Sequence, residues 1–264
     1  MSRISELFAG KKERILNVYC TAGYPQLDST LKVIEALMKN GADMIELGMP
    51  YSDPLADGPV IQHSSTIAIA NGMTIAKLFE QLKDFRQSLR RGGDVGGIPV
   101  VLMGYMNPVL QYGFEKFCKD AAAVGIDGLI LPDLPMYEFE TIYGAIIKKY
   151  GLDFIFLVTP ETSEERVKKL DELSTGFLYA VSSSSTTGSD KNMDDTENYL
   201  QKLKKWQLKN PVLVGFGIKD RQTFDAACKY ANGAIIGSAF IKALETNDSV
   251  ENSVKAFADK ILVG

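Results

Sequence analysis

The chain has 264 residues, 45% of them hydrophobic and 23% charged, an ordinary globular mixture that excludes a disordered chain. Lys and Arg number 29 against 33 Asp and Glu, a net charge of −4 that argues against a nucleic-acid or anionic-membrane partner. Three cysteines without a C-x-x-C spacing argue for a reducing compartment, and one histidine excludes chemistry that needs two. The first ten residues carry no long apolar stretch, no run approaches a membrane span, and a cytoplasmic protein is expected.

Short apolar runs alternate with longer segments of helical periodicity. Ser2 to Phe8 reads as an extra helix closing the bottom of the fold. Ile15 to Cys20 is the first predicted strand. Leu27, Leu31, Ile34 and Met38 then recur at helical spacing, with Asp28 as the expected cap and Asn40-Gly41 as the stop. Met44 to Leu47 is the second strand, followed by helix from about Ile61 to Leu89. Arg90 to Gly97 reads as a flexible loop. Pro99 to Met103, Gly128 to Leu131 and Phe154 to Val158 are the next strands, with helices near 114–124 and 137–150 between them. Thr162-Ser163-Glu164-Glu165 is a capping-box pattern opening another helix. Phe177 to Val181, Val212 to Val214 and Gly233 to Ile236 complete eight strands. Helices are expected near 195–207, 221–230, 238–244 and 250–262.

Eight strands alternating with helices imply parallel pairing through right-handed crossovers. The expectation is one (β/α)8 TIM barrel over residues 1–264, with the extra N-terminal helix and a short extra helix after the eighth strand. Its active site belongs at the C-terminal ends of the strands. Two features stand there. Gly215-Phe216-Gly217 and Gly237-Ser238 follow the last two strands, and Gly188 follows the sixth. Glycines admit an anion to the backbone, so these loops read as a phosphate cradle rather than ordinary turns. Glu46 sits among apolar neighbours in Met44-Ile45-Glu46-Leu47-Gly48, and alternation points it into the barrel mouth. Burying a carboxyl costs energy, so structure alone explains it poorly. Asp57 follows in a Pro/Gly loop, where a turn role competes evenly with a catalytic one.

Other residues carry less. His63 reads as a surface or packing residue, and Lys219 as solvated beside a helix start. The serines at 182–185 have no histidine partner. One histidine is too few for a metal-dependent epimerase, a Schiff-base aldolase lacks its lysine, and no metal site is expected.

The segment Glu46-Leu47-Gly48-Met49-Pro50-Tyr51-Ser52-Asp53-Pro54-Leu55-Ala56-Asp57-Gly58-Pro59-Val60-Ile61-Gln62 resembles the signature of the tryptophan synthase alpha chain family. Thr21 to Pro25, Met103 to Pro108, Leu131 to Pro135, Gly215 to Ile218 and Gly237 to Ala239 also match, so the resemblance covers essentially the whole chain. It implies cleavage of indole-3-glycerol phosphate to indole and glyceraldehyde 3-phosphate. It implies Glu46 and Asp57 as the catalytic carboxylates, joined by Tyr179. Gly188, Gly217, Gly237 and Ser238 match phosphate ligands, and Tyr19 and Met103 match positions around the indole ring. The implied partner is a beta chain, in an alpha2-beta2 heterotetramer, contacted through Asp53, Asn107, Pro108 and Pro135. Pyridoxal phosphate is expected only in that beta chain, and no cofactor here. The chain departs from the family pattern at Ser183, where relatives often carry arginine, and at Ser185, where they often carry glycine. A non-catalytic subunit that only activates the beta chain is the rival reading, and retention of both carboxylates argues against it.

Overall fold

The computed structural model describes residues 2–88, 97–181, 193–215, 217–246 and 248–263. Helix α1 (Arg3–Gly10) starts at Ser2, whose hydroxyl accepts from the Ser5 amide. Strand β1 (Ile15–Thr21) leads to α2 (Ser29–Lys39), and β2 (Met44–Gly48) to α3 (Pro59–Ala70), α4 (Ile75–Gln81) and α5 (Phe85–Ser88). Then come β3 (Val100–Met103), α6 (Met106–Tyr112), α7 (Phe114–Ala123) and β4 (Gly128–Ile130). A helical run follows as α8 (Met136–Glu138), a π-helical turn at Phe139–Tyr143, and α9 (Gly144–Lys149). Next are β5 (Asp153–Phe154), β6 (Leu157–Val158), α10 (Glu164–Leu173), β7 (Leu178–Val181) and α11 (Met193–Lys205). The last elements are β8 (Val212–Gly215), α12 (Arg221–Cys228), β9 (Gly233–Ile236), α13 (Ser238–Ala243) and α14 (Val250–Leu262).

Every strand pair is parallel, in the order β5-β4-β3-β2-β1-β9-β8-β7-β6. The two ends of this series are joined by only Ile155 and Phe156, so the sheet curls into a (β/α)8 barrel. The Ile155 amide donates to the Leu129 carbonyl on one side, and the Phe156 carbonyl accepts from the Tyr179 amide on the other. The fifth predicted strand is therefore two short strands. The chain changes partner there, from β4 to β7. The interior holds Ile15, Met44, Val101, Ile130, Ile155, Phe177, Leu213 and Ile235, and α1 seals its lower end with the fully buried Ile4. The outward-facing residues of the same strands, such as Leu16, Ile45, Leu47 and Leu129, pack under the helices. Burial on both faces is why the strands read as apolar runs.

Four local expectations are corrected. The long helix expected over 61–89 is three pieces, beginning at Pro59. Gly72 at φ 90° ends the first, and the Thr74 hydroxyl caps the second by accepting from the Lys77 amide. Asp28 occupies the N-cap position of α2 without capping it, because its carboxylate binds Lys32 instead. Ser163, rather than Thr162, caps α10, while the Thr162 hydroxyl accepts from the Thr159 amide, so no capping box forms. Helix α6 was not expected. Its first amide, on Met106, donates to both oxygens of Asp133, a cap supplied from 27 residues away. The loop predicted at Arg90 to Gly97 lies outside the described residues except for Gly97.

Candidate active site

Glu46 is held by the alternation of β2. Ile45 and Leu47 pack outward, and Glu46 faces the barrel interior with 1% of its surface exposed. Its Oε2 accepts from Asn17 Nδ2 at 3.4 Å, while Oε1 has no partner among the described residues. Burial pushes its pKa to about 8, the charge of Asp57 adds to the rise, and the Asn17 hydrogen bond opposes it. Asp57 stands in the loop between β2 and α3. Burial raises its pKa to about 6, against a hydrogen bond from the Tyr105 phenol. The Tyr105 oxygen in turn accepts from the Ala56 amide at 3.1 Å, tying the loop to the end of β3. Two mouth carboxyls thus titrate near neutrality, a pattern concentrated at functional sites.

Two tyrosines flank them. Tyr19 on β1 and Tyr179 on β7 are both buried. A Cβ added at Gly48 would fall 2.1 Å from the Tyr19 hydroxyl, and one at Gly215 would fall 2.5 Å from the Tyr179 hydroxyl. Each ring therefore lies across a glycine on the neighbouring strand, and only glycine leaves room for it. Burial, followed by the negative charge of Glu46 and Asp57, holds both phenols well above their ordinary pKa. They are protonated donors throughout the neutral range. Met103 is half-buried at the end of β3.

The candidate phosphate positions lie on the same rim. Gly217 follows β8 with φ 45°, and nothing among the described residues stands within 4 Å of where its Cβ would be. Gly237 follows β9, where an added Cβ would lie 3.5 Å from both Tyr19 and Ile61, and Ser238 opens α13 beside it. Gly188, and with it the serine run at 182–185, lies outside the described residues.

The expected partner residues sit around the outer edge. Asp53 is exposed and touches the Ser52 hydroxyl; Asn107 donates to the Tyr51 hydroxyl; Pro108 lies in α6 and Pro135 precedes α8. Leu55, Leu110 and Tyr137, from the segments following β2, β3 and β4, are 88%, 48% and 73% exposed. His63 and Lys219 are both exposed, as read from sequence. Asn17 and Tyr105 are the polar residues whose contacts with the carboxyls sequence reading missed. The signal for Asn17 was there, a polar residue in the apolar run Ile15-Leu16-Asn17-Val18-Tyr19. Tyr105 had only its strand-end position.

Fold and site together define a (β/α)8 barrel with a pair of acid–base carboxyls at its mouth. A family model described as "Tryptophan synthase alpha chain" matches residues 6–261. The tryptophan synthase alpha chain of Flavobacterium johnsoniae is 50% identical over 262 residues, 99% of this chain and 100% of that one. That of Bacteroides thetaiotaomicron is 46% identical, with the same coverage. The crystal structure of tryptophan synthase subunit alpha from Legionella pneumophila superposes with a TM-score of 0.87 at 33% identity, covering 99% of this chain and 97% of that one. This chain belongs to the tryptophan synthase alpha chain family.

Proposed function

We propose that Glu46 and Asp57 divide the acid–base work of the reaction that membership in this family brings, the cleavage of indole-3-glycerol phosphate to indole and glyceraldehyde 3-phosphate in tryptophan biosynthesis. The observation that carries the reading is the unequal pair of raised pKa values at the mouth. At pH 7 Asp57, at about 6, is ionised, and Glu46, at about 8, holds its proton. The charge of the first helps keep the proton on the second, and environments that split a pair of carboxyls in this way assign acid and base.

The bond to be broken joins indole C3 to the glycerol chain. Glu46 gives its proton to C3, which places positive charge on the ring nitrogen. Asp57 accepts the indole N–H and stabilises that charge. The Glu46 carboxylate then takes the proton of the hydroxyl on the adjacent glycerol carbon. That oxygen forms a carbonyl, the C–C bond breaks, and its electron pair returns to the ring. Glu46 ends the cycle protonated. Tyr179 donates from its phenol across Gly215, and Tyr19 and Met103 flank the indole. The phosphate lies against Gly188, Gly217, Gly237 and Ser238, where glycine backbone and the start of α13 suit an anion.

The chain needs no cofactor of its own in this scheme, and pyridoxal phosphate belongs to the beta chain that uses the indole. The partner edge is Asp53, Asn107, Pro108 and Pro135, and the assembly is a cytoplasmic alpha2-beta2 heterotetramer. Among the described residues no helix is long and apolar enough to cross a membrane. Indole release by the purified chain, with and without beta chain, tests the whole reading. Turnover by the isolated chain that rises on adding beta chain is expected. Activation of the beta chain by a subunit that releases no indole itself would favour a purely regulatory role.

A further inference from the structure

One polar contact inside the barrel has no part in the reaction as described. Asn17 is wholly buried in β1, with Met44 and Ile235 as its register neighbours on the two flanking strands. Its Nδ2 donates to Glu46 Oε2 at 3.4 Å, a long hydrogen bond. Each member of this pair has one further buried oxygen without a partner among the described residues, Asn17 Oδ1 and Glu46 Oε1. Buried polar atoms are almost always satisfied, so two orphans on touching side chains ask for one explanation. While Glu46 is ionised both orphans are acceptors and neither can help the other. A proton on the carboxyl supplies the donor that Oδ1 lacks. An amide carries donor and acceptor on separate atoms, so it can match a carboxyl in either form.

We propose that Asn17 is a positioning residue for Glu46, its N–H holding the ionised carboxylate and its carbonyl holding the protonated acid, so that Glu46 keeps its aim while its proton leaves and returns. The proposal rests on the acid–base reading of Glu46 given above. Asn17 itself exchanges no proton and acts on the reaction only through Glu46. The titratable groups that bear on Glu46 are Asp57 from the following loop, Tyr19 and Cys20 from β1, and Tyr179 from β7. Burial keeps both phenols and the thiol protonated, which leaves Asp57 as the neighbour that changes charge in the same pH range.

The test uses Asn17→Leu and the milder Asn17→Ser in the full chain, assayed with beta chain. Indole release is followed against pH, and glutamate carboxyl carbons labelled with 13C are titrated by NMR. The Glu46 resonance is assigned by its loss in Glu46→Gln. In Asn17→Leu, kcat is expected to fall about tenfold with KM unchanged. The Glu46 titration moves up by about one pH unit, because the bond lost to its charged form is stronger than the one lost to its neutral form. Asn17→Ser falls between, and it reads the same quantity if the leucine variant does not fold. A Glu46 titration and kcat profile that superimpose on those of the unsubstituted chain, whatever the melting temperature does, overturn the proposal. Turnover retained in Glu46→Gln overturns the acid–base reading and this proposal with it. Turnover lost in Glu46→Gln beside an unmoved titration in Asn17→Leu overturns the proposal alone.

Discussion

Buried carboxyls stand at both ends of the barrel, and they are treated in opposite ways. At the bottom, Asp127 precedes β4 with 5% of its surface exposed. One of its oxygens accepts from Arg3 at 2.7 Å; the other accepts from Arg86 at 2.5 Å and from the Val100 amide at 2.8 Å. Arg86 also donates to the carbonyls of Gly125 and Ile98, tying α5 to the segments that enter β3 and β4. At the mouth, Glu46 is as deeply buried but, among the described residues, faces no cation, accepts one long hydrogen bond and leaves an oxygen unpaired. A matched buried charge holds geometry; an unmatched one has its proton made exchangeable near neutral pH. The floor is matched in charge and the mouth is not, the division between stability and chemistry expected of the two faces of a barrel of this kind.

Glu46→Gln is the sharpest probe of this contrast. Losing a general acid–base group costs ~10²–10⁴-fold in rate, and the proposed cycle uses Glu46 for two transfers, so the loss of indole release should reach the upper end of that range or exceed it. Substrate affinity and beta-chain activation should persist. Retained turnover breaks the contrast at the mouth.

The converse substitution at the floor is Asp127→Asn. It leaves Arg86 buried without its charge partner and is expected to destabilise the chain by about 3 kcal/mol or more in denaturant unfolding. Indole release per folded molecule should be unchanged. A rate loss without a stability loss would show that the floor is not merely structural.

Gly237→Asp tests the rim between these extremes. A carboxylate placed beside the substrate's phosphate should raise KM by about 10-fold or more through like-charge repulsion, with the melting temperature little altered. An unchanged KM in a folded variant removes Gly237 from the phosphate site.

The last effect is the pH dependence of stability. Folded Glu46 keeps its proton to about pH 8, whereas its ordinary value is 4.5. Between those values the folded state binds more protons than the unfolded one, so Glu46 makes stability fall as pH rises. Asp57 contributes in the same direction between 3.8 and about 6. Melting curves from pH 5 to pH 8 should therefore decline less steeply in Glu46→Gln than in the unsubstituted chain. Parallel curves would mean that Glu46 is ionised in the folded protein.

Much of the barrel was legible in the residues. The buried strands announce themselves as apolar runs, and Glu46 is conspicuous because a carboxyl between Ile45 and Leu47 has no local explanation. What local pattern did not carry were contacts between segments far apart in the chain. Asp133 capping α6, Tyr105 reaching the Asp57 loop, and Asn17 meeting Glu46 each join residues brought together only by the pairing of neighbouring strands. The split at Ile155-Phe156 was hidden for the same reason, since the break follows from a change of neighbouring strand rather than from the chain's own pattern.

The sequence by itself determined the alternation of strand and helix, the inward direction of Glu46, and the glycine loops after the last two strands, because these depend on residue type and on periods of 2 and 3.6 residues. The tertiary structure alone decided how each carboxyl behaves. Glu46 and Asp127 are both acidic residues in strand-proximal apolar surroundings, and nothing in their neighbours along the chain says that one meets two arginines and the other a single amide. Protonation depends on desolvation and on charges within a few ångströms in space, and those are set by which strands lie side by side once the barrel has closed.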